Sequence, residues 1–407
     1  MRFTHTSPPM TGRVVPLLSL AAFASAASLR ATDPLLALIS VEYDVTPGAA
    51  SAVITAFALS YGLFQLVHGP IGDRVGKFRM VMITTGLSGL TLFLCAAAPG
   101  FEVLVAARFI SGITVGALIP LSMAWIGDAV PYERRQATIA RFLIGQMLGV
   151  AFGAAAAGVL AAWFGWRAIF VVLGLLFVAI AALLMVELRR NQLVAQRASD
   201  VVSLGAAFRR MFGLFARPWV RVLLITVAIE GALANGAFAF VAWDLHQRHG
   251  VSLGASGAFI AAFPAGGLLY AAVAGRVVPA LGERGLVLVG GSFLGLSYLA
   301  MTFAPGPGTV LVCIFGAGVG IYMMHNTLQV NATQMAPEAR GAAVALFAFF
   351  LFTGQAIGIW LAARVIDAWG VLPVFAAAGI GLPLVALDFR RRLARLRGPA
   401  SGSDPCG

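Results

Sequence analysis

Arg30 and Asp33 stand inside a long apolar run and are followed at once by Pro34. Burying an ionisable side chain in such a run is costly, so each one is a candidate for function rather than decoration. Three residues apart on a helix, Arg30 and Asp33 face the same way. Pro34 removes a backbone hydrogen bond and predicts a kink beside them. Arg108 lies in a later apolar run, Glu230 and Asn235 in another. A carboxylate held by cations but surrounded by hydrocarbon is balanced between charged and neutral forms, which suits it to bind and release a proton. Asp33, with Arg30 and Arg108 beside it, is the first candidate for that role. The alternative is a fixed ion pair joining two helices. Glu230 is either a second carboxylate of the same kind, a ligand for a bound molecule, or a residue reaching back to the membrane surface.

Further polar side chains interrupt the apolar runs: Tyr61, Gln65, Gln146, Tyr322, His325, Asn326 and Gln355. With Asn235 they form the expected lining of a central cavity, and Gln146 and Gln355 are the preferred pair. Interhelical hydrogen bonding is the ordinary alternative. Asp244, His246 and His249 sit at the end of one run and read as solvated.

Helices long enough to cross a bilayer must position these residues. The chain has 407 residues, of which 60% are hydrophobic and 11% charged, which places it among integral membrane proteins. About 20 residues at 1.5 Å rise span the hydrocarbon core. Twelve runs reach that length: 14–41, 49–69, 80–98, 101–127, 139–164, 167–186, 219–245, 253–278, 285–304, 309–332, 341–368 and 371–389. None alternates as a barrel strand would. The net charge of +12 is spread over short loops beside the spans, not over one soluble face, which excludes nucleic acid as the partner. Arginines crowd one set of loops, including Arg74, Arg134, Arg135, Arg189 and Arg190, and both ends of the chain share that side. The positive-inside rule makes that side cytoplasmic. The three cysteines give neither a disulfide framework nor a metal or haem spacing. No phosphate-cradling loop of the Gly-x-x-x-x-Gly-Lys-Ser/Thr kind is present, and no cofactor is implied. A membrane enzyme would need a nucleophile with a base or clustered acids at a membrane face, and the sequence offers none.

The longest connection, 189–218, is arginine-rich with interleaved phenylalanines and reads as a linker ending in an amphipathic helix. It separates an N-terminal six-helix bundle, 1–188, from a C-terminal one, 219–389, followed by a basic tail, 390–407. The halves repeat. At an offset of 206, Gly69, Gly76 and Gly112 align with Gly275, Gly282 and Gly318. Gly145-Gln146-x-x-Gly149 returns as Gly354-Gln355-x-x-Gly358, three residues out of that register.

Between the second and third runs lies Gly69-Pro70-Ile71-Gly72-Asp73-Arg74-Val75-Gly76-Lys77-Phe78-Arg79. It resembles the Gly-x-x-x-Asp-Arg-x-Gly-Arg/Lys loop of the major facilitator superfamily, matching at Gly69, Asp73, Arg74, Gly76 and Lys77. Gly72 and Gly76 are expected to turn the backbone, and Asp73 to open the third helix. Arg108-Phe109-x-x-Gly112-x-x-x-Gly116 resembles the fourth-helix motif of that superfamily, whose arginine is associated with proton coupling. The resemblance also makes Asp128 a latch residue, pairing with Arg74 and the eleventh helix and favouring the outward-open state. Gly145-x-x-x-Gly149-x-x-x-Gly153 resembles the antiporter motif of the drug:proton branch, with Val150 in place of its proline and Ala154 in place of its last glycine.

The resemblance implies twelve helices in two bundles with the substrate near the midplane between them. It implies a monomer in a bacterial inner membrane, with both termini cytoplasmic. The expected activity is proton-coupled efflux of a small amphipathic molecule. Proton-linked movement of a sugar or organic acid is the second reading.

Overall fold

The computed structural model describes residues 13–191 and 204–396. The N-terminal Arg2, much of the linker and the end of the basic tail with Cys406 lie outside the described residues.

Among the described residues the regular secondary structure is helical throughout. Ten segments match single spans: Val14–Glu42, Pro47–Val75, Lys77–Ala96, Phe101–Ala129, Ala137–Phe164, Arg167–Arg190, Pro218–Gln247, Pro307–Gln334, Arg340–Trp369 and Leu372–Arg395. An eleventh segment, Leu253–Thr302, has 50 residues. At 1.5 Å per residue that is far longer than a bilayer is thick. It breaks at Gly282, where φ is 58° and ψ is 176°, so it supplies the eighth and ninth spans, consistent with twelve.

The outward faces are apolar, as lipid requires. On the third span Leu87, Leu90 and Leu94, spaced at helical intervals, are 44%, 57% and 54% exposed. Inward faces rely on close approach. An added Cβ on Gly145 or Gly149 of the fifth span would collide with the carbonyls of Ser19 and Phe23 on the first. One on Gly354 or Gly358 of the eleventh would collide with those of Ala228 and Ala232 on the seventh. All four pairs are related by the same sequence offset, so the two bundles repeat in packing as well as in residue type. Gly76 and Gly282, aligned in sequence, both adopt positive φ, 98° and 58°.

The signature stretch differs from expectation. The second span continues as helix to Val75, so Gly69, Gly72, Asp73 and Arg74 are helical, and only Gly76 turns the chain. Asp73 therefore ends the second helix rather than opening the third. Gly72 serves packing, since a Cβ there would lie 2.5 Å from Leu121 Cδ2. A helix that ends in a single left-handed glycine needs no longer loop.

The two halves meet at the middle and at the end remote from the chain termini. Gly158 of the fifth span packs against the backbone of Leu253 and Gly254. Asp367 of the eleventh span accepts hydrogen bonds from Thr46 Oγ1 at 2.7 Å and from the Gly48 N–H at 2.9 Å. On the terminus side, the linker helix Leu204–Gly213 buries Met211 in an apolar cluster that includes Leu66 of the second span and Phe347 of the eleventh.

Candidate functional site

The first span is broken where Pro34 predicts. The α-helix ends at Arg30, a 3-10 turn covers Asp33–Leu35, and the helix resumes at Leu36. The seventh span is disturbed at a corresponding depth. Its α-helix ends at Glu230, and a π-helical turn runs over Gly231–Asn235. Such turns realign side chains and recur at functional sites. Here the two irregular segments face each other across the seam between the halves.

Arg30 joins them. Its Nη1 lies 3.3 Å from Asp33 Oδ2, and its Nη2 donates to Asn235 Oδ1 at 2.8 Å. The guanidinium sits 4.8 Å from the centroid of Phe238. That ring is 4.4 Å from Phe263, whose other neighbour is Tyr322 at 6.4 Å. Asp33 is fully buried, and its Oδ1 has no hydrogen-bond partner. A buried carboxylate with one satisfied oxygen is costly in the charged form and accommodates a proton on the other.

Arg108 does not complete that pair. It is fully buried inside the first half, with its guanidinium 4.0 Å from the Phe57 ring and 5.7 Å from Phe170. Its Nε donates to Val53 O at 3.3 Å, while both terminal nitrogens lack partners. Arg108 thus makes no hydrogen bond or ion pair with Asp33 among the described residues, yet the two charges remain close enough to act on one another.

Glu230 is fully buried, which removes the reading of a residue reaching for the membrane surface. Its Oε2 lies 2.9 Å from His325 Nδ1, and its Oε1 is unpartnered. The His325 ring is 5.3 Å from that of Phe347. Each half of the chain thus carries one buried carboxylate with one unsatisfied oxygen.

The remaining cavity candidates divide. Tyr61 is buried at the seam, its ring 4.3 Å from Phe352 of the other half. Gln65 donates to Gly116 O at 2.9 Å and is spent on packing. Gln355 is buried, whereas Gln146, Asn326 and Tyr322 are half-buried. The signature residues form one cluster within the first half: Lys77 pairs with Asp73 at 3.2 Å and, more closely, with Asp128. Asp128 therefore pairs with Lys77 and not with Arg74, which points outward from the helix end and makes no ion pair among the described residues.

Asp244 is another correction. It is fully buried and held by Arg248 at 2.9 and 3.0 Å, and Arg248 also donates to Met301 O at 2.7 Å. The group closes the end of the second bundle instead of being solvated. Arg364 and Asp367 are missing from the sequence-based candidates. Arg364 interrupts an apolar run, which is a signal by itself; the partners of Asp367 are 319 or more residues away and leave none.

Residues 18–359 match the family described as Major Facilitator Superfamily. The chain is 27% identical over 345 residues to the uncharacterized MFS-type transporter YceJ of Bacillus subtilis, covering 81% of this chain and 83% of that one. It is 23% identical over 391 residues to the 4-hydroxybenzoate transporter PcaK of Pseudomonas aeruginosa, covering 88% and 84%. Among solved structures, the peptide transporter POT in complex with sulfate superposes with a TM-score of 0.80 at 17% identity over 97% of both chains. The nucleoside transporter NupG superposes with a TM-score of 0.77 at 13% identity, covering 92% of this chain and 99% of that one. With its helical spans, repeated bundles and matched family, the chain is a secondary membrane transporter and belongs to the Major Facilitator Superfamily.

Proposed function

We propose that the protein exports a small amphipathic molecule in exchange for protons, by alternating access between its two bundles. The observation that carries this reading is Asp33: fully buried, held on one oxygen by Arg30, unpartnered on the other, and linked through Arg30 to Asn235 of the second half. Protonating Asp33 weakens its hold on Arg30. That change is transmitted to the bond between the halves, so the proton and the conformation are coupled. Glu230 with His325 is a second proton-accepting pair in the other bundle. The aromatic side chains around these groups, Phe238, Phe263, Tyr322 and Phe347, favour an amphipathic substrate with an apolar body.

With both termini in the cytoplasm of a bacterial cell, the closed end faces outward. The Asp73–Lys77–Asp128 cluster then lies on the cytoplasmic side. Its carboxylates, Asp128 63% exposed and Asp73 50%, remain available to a partner on the other half when that side closes. The protein works as a monomer in this reading, since both bundles belong to one chain.

The test is proton movement in proteoliposomes, driven by a panel of lipophilic cations, sugars and organic acids, for wild type and Asp33→Asn. A compound that moves protons with wild type and not with the variant supports coupling through Asp33, and the sign of the pH change gives the direction. Transport by wild type without proton movement overturns the exchange mechanism.

Proton-linked transport of an organic acid is the second reading. It is favoured by Arg30, a buried cation at the seam whose donors suit a carboxylate, and by the similarity to PcaK.

A further inference from the structure

A groove of about 510 Å³ opens on the outer surface of the bundle, near the end remote from the termini. Ala52 and Ala56 of the second span form its floor, Val105 and Phe109 of the fourth one wall, and Trp360 and Arg364 of the eleventh the other. It lies where the second and fourth spans of one half meet the eleventh of the other, and shares no lining residue with the Asp33 and Glu230 sites. The floor is deep because its side chains are small. Ala56 is nine residues into its span and Trp360 nine residues from the end of its own, so the groove reaches roughly 14 Å from the helix ends at helical rise.

One cation stands at its mouth. The Arg364 guanidinium lies 3.6 Å from the centroid of the Trp360 ring, which fixes it against the wall, and the side chain is exposed. Arg364 has no ion pair among the described residues. The acid one turn along the helix, Asp367, is spent on Thr46 and on the Gly48 N–H. Arg364 is five residues from the end of the eleventh span, about 7.5 Å at helical rise, so its long side chain reaches the level of lipid phosphates.

The geometry points to a binding site for one anionic glycerophospholipid of the leaflet remote from the termini. Its phosphate pairs with Arg364, and one acyl chain lies over Ala52 and Ala56 between Phe109 and Trp360. A planar guanidinium with free donors matches a phosphate in two-point fashion. A zwitterionic lipid gains less, because its ammonium finds no uncommitted carboxylate at the mouth. The site needs no assumption about the transported molecule or its coupling.

The full chain in detergent, titrated with phosphatidylglycerol or phosphatidylcholine of identical acyl chains and read by native mass spectrometry, tests this. Wild type is expected to prefer phosphatidylglycerol by about fivefold, the factor for one basic residue at an anionic headgroup layer. Arg364→Gln brings that ratio to one, and Arg364→Lys keeps part of it. Ala56→Trp, which fills the floor, weakens both lipids and leaves their ratio unchanged. A wild-type ratio in Arg364→Gln overturns the site, as does unchanged binding of both lipids in Ala56→Trp. Displacement by glycerol 3-phosphate at the concentrations at which phosphatidylglycerol binds also overturns it, since the groove would then take a soluble anion rather than a lipid.

Discussion

Arg30 Nη2 donates to Asn235 Oδ1 at 2.8 Å, a hydrogen bond that crosses from the first bundle to the second. It is charge-assisted and half-buried, and such bonds contribute about 1.5–3 kcal/mol. Asn235→Leu removes it while keeping a side chain of similar size. The closed end should then open more often, by roughly ten- to a hundredfold in population. A reporter at Ser51→Cys, a buried position at that end, reads the change by alkylation rate in a Cys406→Ser background. The native Cys95 and Cys313 are buried and add little signal. An unchanged rate would mean that the bond does not hold the halves together.

The second joint at that end leaves no room for a methyl group. A Cβ on Gly48 would lie 2.4 Å from both Ala363 O and Asp367 Oδ2. Gly48→Ala is therefore expected to push the second and eleventh spans apart and to raise the same alkylation rate. Asp367→Asn keeps the shape and loses the charge, so it should act in the same direction but more weakly. The order matters: if Asp367→Asn opens the end more than Gly48→Ala, the charge and not the close approach sets the closure.

Glu230, fully buried, and His325, half-buried, pair in the second half, 2.9 Å apart. Removing one partner from such a pair strands the other, at a cost of about 3–5 kcal/mol, whereas replacing both with apolar groups is often neutral. His325→Leu should lower the melting temperature more than Glu230→Gln, which removes the charge but keeps an acceptor. The double variant Glu230→Leu with His325→Leu should recover most of the loss. Additive losses in the double variant would show that the two residues act independently.

The spans, the repeat and the chemistry of the first helix were legible in the sequence because each is local. Pro34 announces the broken helix beside Asp33, and Gly145 with Gly354 announces close helix contacts, whatever the rest of the chain does. Pairings across the bundle were not. Glu230 and His325 are 95 residues apart, and Arg30 and Asn235 are 205 apart, and no periodicity links such positions. Arg108 shows the limit from the other side: its motif brings its charge within reach of Asp33, but nothing local told that its guanidinium packs against Phe57 and Phe170. The signature stretch is rich in glycine and charge, which suggests a loop. Six of its residues prolong a helix that is already paired along the second span, and a single glycine suffices for the turn.

That turn has a counterpart, and the pair of glycines gives a test of the fold itself. Gly282 divides the 50-residue segment Leu253–Thr302 into two spans with φ of 58° and ψ of 176°, a region that side chains with a Cβ avoid at a cost of about 1–3 kcal/mol. Gly275 is aligned with Gly69, lies within the same helical segment, and a Cβ there meets nothing within 4 Å. Gly282→Ala should therefore lower the melting temperature by about 1–4 °C, whereas Gly275→Ala should leave it unchanged or raise it slightly, since alanine favours a helix by up to about 1 kcal/mol. Gly76→Ala, at φ of 98° in the first half, should behave like Gly282→Ala. Equal melting temperatures for Gly275→Ala and Gly282→Ala would mean that the eighth and ninth spans are not separated by a backbone conformation that only glycine tolerates.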